Sequence, residues 1–193
     1  MNNLAAILPS SLFTHKGWAN RELFVQVDSI DVTNFAAQQH GCIRVLNHVL
    51  VVDQIFAAHL CQKAPAHAAT NTPPTPTLAQ LLDAVVEVVE VDAWYLAYVA
   101  TVSPEALQQP LTFVFTDSER GRMTRAEMLT HVVTRGGYHR GAVGEILKGN
   151  GRAAPRDFQT RYLYEKDGVR RIGYPDAASK TRGRLRHRLA ACC

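Results

Sequence analysis

Three residues able to bind metals, anions or protons recur at one spacing: His131, Arg135 and His139, each four apart. At 3.6 residues per turn, that spacing places them on one face of a helix. Two neutral imidazoles at i and i+4, with a third from a neighbouring helix, make a facial three-nitrogen site. Such a site holds a divalent metal at about 2.0–2.1 Å and leaves positions for water or substrate. Here the residue four before His139 is Arg135, a permanent cation with no lone pair for a metal. His131 is a poor replacement, because it lies roughly 12 Å along the helix axis from His139. A guanidinium suits a carboxylate or phosphate instead, gripped by two parallel N–H donors.

These residues need a helix to carry them. Thr124-Arg-Ala-Glu127 is a capping box, and Gly149-Asn-Gly151 supplies residues that end helices. The spacing predicts a long helix over 127–147 between these signals. It contains Gly136, Gly137, Gly141 and Gly144, each costing roughly 1 kcal/mol against Ala. Close packing against all four is the expected reason. A partner helix is expected over 34–62, where a wide apolar stripe from Ile43 to Leu60 is interrupted by Asn47, His48 and Asp53. Polar groups beside such a stripe need partners, because an unpaired buried one costs roughly 1–3 kcal/mol.

Taken together, several pieces resemble the DinB/YfiT-like family of bacterial four-helix bundle proteins, which is distinct from the translesion polymerase sharing its name. The pieces are Trp18-Ala-Asn20, Leu46-Asn-His48 with Asp53 and Phe56, His131-Val-Val-Thr-Arg135-Gly-Gly-Tyr-His139-Arg-Gly141, and Pro155-Arg-Asp157. They span roughly residues 10–163. The resemblance implies an all-α four-helix bundle, often homodimeric. It also implies a metal site with one histidine on the second helix and an H-x3-H pair before Arg-Gly on the fourth. Matched by position, the metal ligands are His48 and His139, and Arg135 stands where the middle histidine would be. Asp53, His131 and Tyr138 are the residues expected around them. Some relatives look like thiol-dependent transferases or isomerases, in which zinc, nickel or a similar ion would lower a cofactor thiol's pKa. Damage inducibility, a label attached to the family, describes regulation and implies no chemistry.

Three readings follow. The chain is a metal-dependent enzyme of the thiol-transferase or isomerase kind, with Asp53 or water completing the shell of His48 and His139. Alternatively it is a metal-free protein that binds a small anion through Arg135. In the third reading it is a structural dimeric bundle in which Arg135 pairs with Asp53 or Glu145.

The remaining elements complete a bundle. A first helix is expected over 9–28, entered at Pro9 and lined by Leu12, Trp18, Leu23, Phe24 and Val27. The Pro/Thr/Ala-rich stretch 63–76 is too long for a tight hairpin and suits a crossover. Thr77-Leu-Ala-Gln80 caps a third helix running to about Val102, with Val88, Val89, Trp94, Leu96 and Val99 in its apolar body. Leu111–Thr116 alternates as a strand and Asp117–Arg122 reads as a turn, a short β insertion before the last long helix. The domain is expected to end at residue 164, with a mobile basic tail over 165–193. His15, His40 and His59 read as ordinary surface or satisfied histidines, the last two exposed.

The 193 residues suffice for one such domain. From Arg161 onward nine Lys/Arg face three Asp/Glu, leaving 12 basic and 14 acidic residues before it. The folded part therefore has no basic footprint for nucleic acid. No uncharged apolar run of about 18 residues suggests a membrane span, and the N-terminus lacks the basic region of a signal peptide. A cytoplasmic protein acting on a small molecule is expected. Cys42, Cys61, Cys192 and Cys193 form neither a CxxC motif nor a disulfide framework. Cys42 and Cys61 read as core thiols.

Overall fold

The computed structural model describes residues 4–170, apart from the side chains of residues 4–6, 78–79 and 81–86. It divides into two units, Met1–Asp157 and Phe158–Cys193. Four long helices make up most of the first unit: α1 (Leu4–Asp28), α2 (Val32–Leu60), α3 (Leu78–Thr101) and α5 (Arg125–Gly149). Between α3 and α5 come the short α4 (Pro104–Gln108) and an antiparallel hairpin, β1 (Pro110–Val114) with β2 (Arg120–Thr124). The described part of the second unit is α6 (Gln159–Lys166) and a 3-10 turn at Gly168–Arg170. The boundary expected at residue 164 falls inside α6. The expected mobility of the tail from 171 onward, and Cys192-Cys193, lie outside the described residues.

Caps explain where the helices begin. Thr77 and Thr124 each accept from the backbone three residues on, while Gln80 and Glu127 reach back to the cap. Asp31 accepts from the Thr33 amide and opens α2 two residues earlier than expected. Helix α1 begins at Leu4 rather than Pro9. Proline in the second turn forfeits only one backbone bond, so the helix runs through it. Only part of the Asp117–Arg122 segment turns, and Arg120–Arg122 joins β2. Gly121 makes this pairing work, since a Cβ there would sit 2.6 Å from the Phe115 ring and 2.8 Å from Phe113.

Helix α2 packs along α3 and α5, and α1 packs along the same two, leaving α1 and α2 across the middle from each other. By length and composition α2 would also pass as a membrane span, with mean hydropathy 1.3. In this fold 61% of that window is buried. Val89, placed in the α3 core from sequence, is 39% exposed.

The apolar core lies in two clusters. One gathers Leu23, Val27, Leu46, Leu50 and Val143; the other Phe13, Phe56, Tyr95, Val99 and Met128. Along each long helix a polar residue sits between the two clusters: Lys16, Asp53, Asp92 and Arg140. Lys16, only 1% exposed, donates to Asp53 Oδ2 at 2.7 Å and to Asp92 Oδ1 at 2.6 Å. Asn20 donates to Asp92 at 2.9 Å and accepts from Arg140 at 3.2 Å. Arg140 Nε donates to Asp157 at 2.6 Å.

This layer accounts for two of the four helix glycines only in part. At Gly136 a Cβ would meet the Arg140 guanidinium at 3.1 Å and Lys16 Cε at 3.5 Å. At Gly137 a Cβ would make an ordinary contact with Arg140, at 3.7 Å. At Gly144 a Cβ would meet Ala154 Cβ at 3.1 Å. Gly141 faces open space, so the expectation of close packing fails there.

Removing one member of a buried ion pair leaves the other charge uncompensated, at a cost of about 3–5 kcal/mol. Lys16→Met should therefore lower the unfolding free energy by about that amount in urea titrations. A loss under about 1 kcal/mol would mean the two carboxylates are stable without the ammonium.

Candidate functional site

Helices α2 and α5 bring His48, Arg135 and His139 together. The two imidazole centroids are 4.9 Å apart and nearly perpendicular. His48 Nδ1 lies 2.6 Å from the Thr70 carbonyl oxygen, in the connection between α2 and α3. A carbonyl only accepts, so Nδ1 carries the proton and Nε2 keeps its lone pair. Arg135 Nη2 donates to that lone pair. Both contacts require the same tautomer.

All three imidazoles near Arg135 are held neutral. Burial pushes the His139 pKa down to about 4, with the Arg135 charge and His48 adding to it. Burial also lowers His48, with Arg135 acting in the same direction against the opposing Thr70 bond. His131 is lowered by burial and then by Arg135. Burial lowers the Arg135 pKa and the Asp53 charge opposes this, but a guanidinium remains cationic throughout. One fixed positive charge thus sits among neutral rings.

The other expected residues take different partners. His131 stacks on Phe56 at 4.7 Å, and Tyr138 lies edge-on to His139 at 5.1 Å while being 75% exposed. Asp53 faces the core, bound to Lys16, and Glu145 pairs with Lys148 at 2.5 Å. The expected pairing of Arg135 with Asp53 or Glu145 is therefore corrected, because each carboxylate has a lysine. Among the described residues no ion pair involves Arg135.

Two smaller expectations change. His59 is buried, packed against Phe113 at 4.9 Å, rather than exposed. Cys61 is exposed at the end of α2 rather than in the core. Cys42 is buried, and burial raises its thiol pKa to about 11. His15 Nε2 lies 3.0 Å from Asp157 Oδ1.

Sequence reasoning missed Lys16, Asp92 and Arg140, and it read Thr70 only as linker. Lys16 had a detectable signal: it shares a helical face with Phe13, Leu23 and Val27, all buried. Thr70 had none, because a backbone carbonyl carries no residue-type signature.

A family model for the DinB family matches residues 1–172. The chain belongs to the DinB family. No curated protein and no solved structure matches it. The metal site that the resemblance implies needs a third donor, and the described residues of this DinB protein do not provide one. Among the described residues no group of three or more His, Cys, Asp or Glu is arranged to hold a metal ion. His48 presents its one free lone pair to Arg135. Asp53, the expected substitute, is engaged by Lys16. The donor set does not fit a divalent ion.

Neutral-ring preference sets a sign for pH dependence. An unfolded imidazole titrates near 6.5, so depression of His139 contributes stability that is complete above that pH. It is lost as pH falls from about 6.5 toward 4. In proton NMR, His139 should titrate near pH 4, and Arg135→Gln should move its midpoint upward by removing one of the causes. A midpoint that the substitution leaves unchanged would mean Arg135 does not act on His139.

Proposed function

We propose that this DinB protein binds a small carboxylate- or phosphate-bearing molecule at Arg135 without a metal. The observation that carries the reading is the Arg135–His48 hydrogen bond. It directs a guanidinium at the lone pair a metal would use, and it leaves the other N–H donors for a ligand. Guanidinium donors match a carboxylate or phosphate edge in a bidentate fork. Neutral His139 and His131 can add an N–H or a lone pair without competing for the anion by charge. In the same reading the protein is a homodimer, as the family resemblance implies, and a cytoplasmic protein that takes a small molecule. The alternative, a metal-dependent thiol transferase or isomerase, would require Arg135 to leave His48 and a third donor to arrive.

Calorimetry with inorganic phosphate and with acetate tests this directly. A hydrogen bond to a charged group contributes about 1.5–3 kcal/mol, so Arg135→Gln should weaken binding by roughly tenfold to a hundredfold. Arg135→Lys should recover only part, because an ammonium has no fork. The reading is overturned if the wild type binds neither anion and keeps one equivalent of divalent metal through dialysis against a mild chelator.

Arg135→His should convert the site. It would place a third imidazole beside His48 and His139, and His48 already has its Nε2 lone pair oriented. Zinc, nickel or cobalt affinity should rise by orders of magnitude, and metal should raise the melting temperature, since only the folded state binds it. Adding His139→Ala should erase the gain. No gain from Arg135→His would show that these positions cannot form a metal site.

A further inference from the structure

The connection over residues 61–77 looks like a spacer in sequence, yet it is fastened along the edge of the Arg135 site. Besides Thr70 O on His48 Nδ1 at 2.6 Å, the Asn47 amide donates to Asn71 Oδ1 at 3.1 Å. Thr72 Oγ1 donates to Asn47 Oδ1 at 3.0 Å. Farther along, His67 Nε2 and Gln54 Oε1 are 2.7 Å apart. Asn47 itself is buried, at 9% exposure. One side chain next to His48 in sequence therefore clamps the two residues that follow Thr70.

We infer that Asn47 and Thr72 are positioning residues: by clamping the connection they fix the tautomer of His48, and through it the orientation of Arg135. The chemistry has two settings. With the Thr70 carbonyl in place, Nδ1 must donate, Nε2 must accept, and the Arg135 N–H fits against it. The Asn71 amide nitrogen stands 3.5 Å from the same Nδ1 and favours the opposite setting, since a donor there wants a lone pair. The closer carbonyl wins while the clamp holds. Were the clamp released, Nδ1 would lose its acceptor and the proton could reside on Nε2. That would set donor against donor at Arg135 and turn the guanidinium away. The tautomer is independent of any ligand, and only the affinity consequence rests on the anion reading above.

The test uses the full chain with Thr72→Val, which removes the hydroxyl at nearly constant shape, and Thr72→Ser, which keeps it. Long-range 1H–15N spectra report the imidazole tautomer, with the His48 signals identified by their loss in His48→Gln. Wild type and Thr72→Ser should show His48 protonated on Nδ1. Thr72→Val should shift it toward Nε2–H, and Asn47→Ala should do so more fully. Should Asn47→Ala fail to fold, Thr72→Val decides alone. Phosphate affinity should fall about threefold to tenfold in Thr72→Val and return in Thr72→Ser, because a guanidinium no longer held in place must be ordered on binding. A wild type already protonated on Nε2, or a folded Thr72→Val with the wild-type pattern, overturns the inference. A tautomer change with wild-type phosphate affinity overturns the link to Arg135. A tautomer change in a protein that never binds phosphate upholds the clamp and removes the anion reading instead.

Discussion

The first unit depends on one ammonium group. Lys16 reaches from α1 across the middle of the bundle and is shared by Asp53 on α2 and Asp92 on α3. Burial by itself would lower its pKa, but the two carboxylates outweigh that and raise it. Asp53 is raised in turn, chiefly by burial, with Asp92 contributing against the pull of Lys16. Wide apolar stripes on helices tolerate sliding and rotation, because hydrophobic burial is non-directional. Hydrogen-bonded charges do not, since each unpaired one would cost several kcal/mol. The polar layer therefore sets the register of α1, α2 and α3.

Helix α5 joins the same layer. Arg140 is received by Asn20 and Asp157, and a Cβ at position 136 would press on its guanidinium at 3.1 Å. The layer also shapes the site one turn away. Asp53 is engaged by Lys16, so it influences Arg135 by charge without forming an ion pair with it. Arg135 turns instead to the neutral imidazole of His48. An imidazole whose Nδ1–H is held by a backbone carbonyl is the arrangement metal-ligating histidines commonly use. In this chain the positive group it addresses is a guanidinium, so the geometry suited to a cation remains although the donor set for an ion does not.

Much of the fold was legible from local signals. Both Thr-x-x-Gln/Glu boxes cap helices, because hydroxyl and carboxylate or amide satisfy free amides within four residues of chain. Gly151, at φ +71, ends α5 in the left-handed region as glycine readily does. The second strand was obscured because Arg120-Gly-Arg122 has turn composition. Its pairing depends on the aromatic rings of β1 covering Gly121, a contact between separate segments. The face of α1 was legible at Leu23, Phe24 and Val27, which are buried, but not in its first half: Phe13 and Lys16 are buried there, whereas Leu12 and Trp18 are only partly so. A lysine on an apolar face looks like an error until its two carboxylates, 37 and 76 positions away in sequence, are brought to it.

The sequence alone determined that His131, Arg135 and His139 lie along one helix and that the middle position cannot ligate a metal. Helical periodicity and the absence of a lone pair on guanidinium are local properties that no tertiary contact alters. Tertiary structure decided which lone pair the arginine meets, which carboxylate it does not receive, and which histidine tautomer is present. Each of those depends on competition among groups from different segments. Asp53 could have served Arg135, but the better-buried Lys16 claims it. His48 could have offered either nitrogen, but the Thr70 carbonyl takes the proton of Nδ1. Such contests are settled by which atoms of distant segments come closest, as the Thr70 carbonyl does at 2.6 Å against 3.5 Å for the Asn71 amide, and spacing along a chain does not encode that.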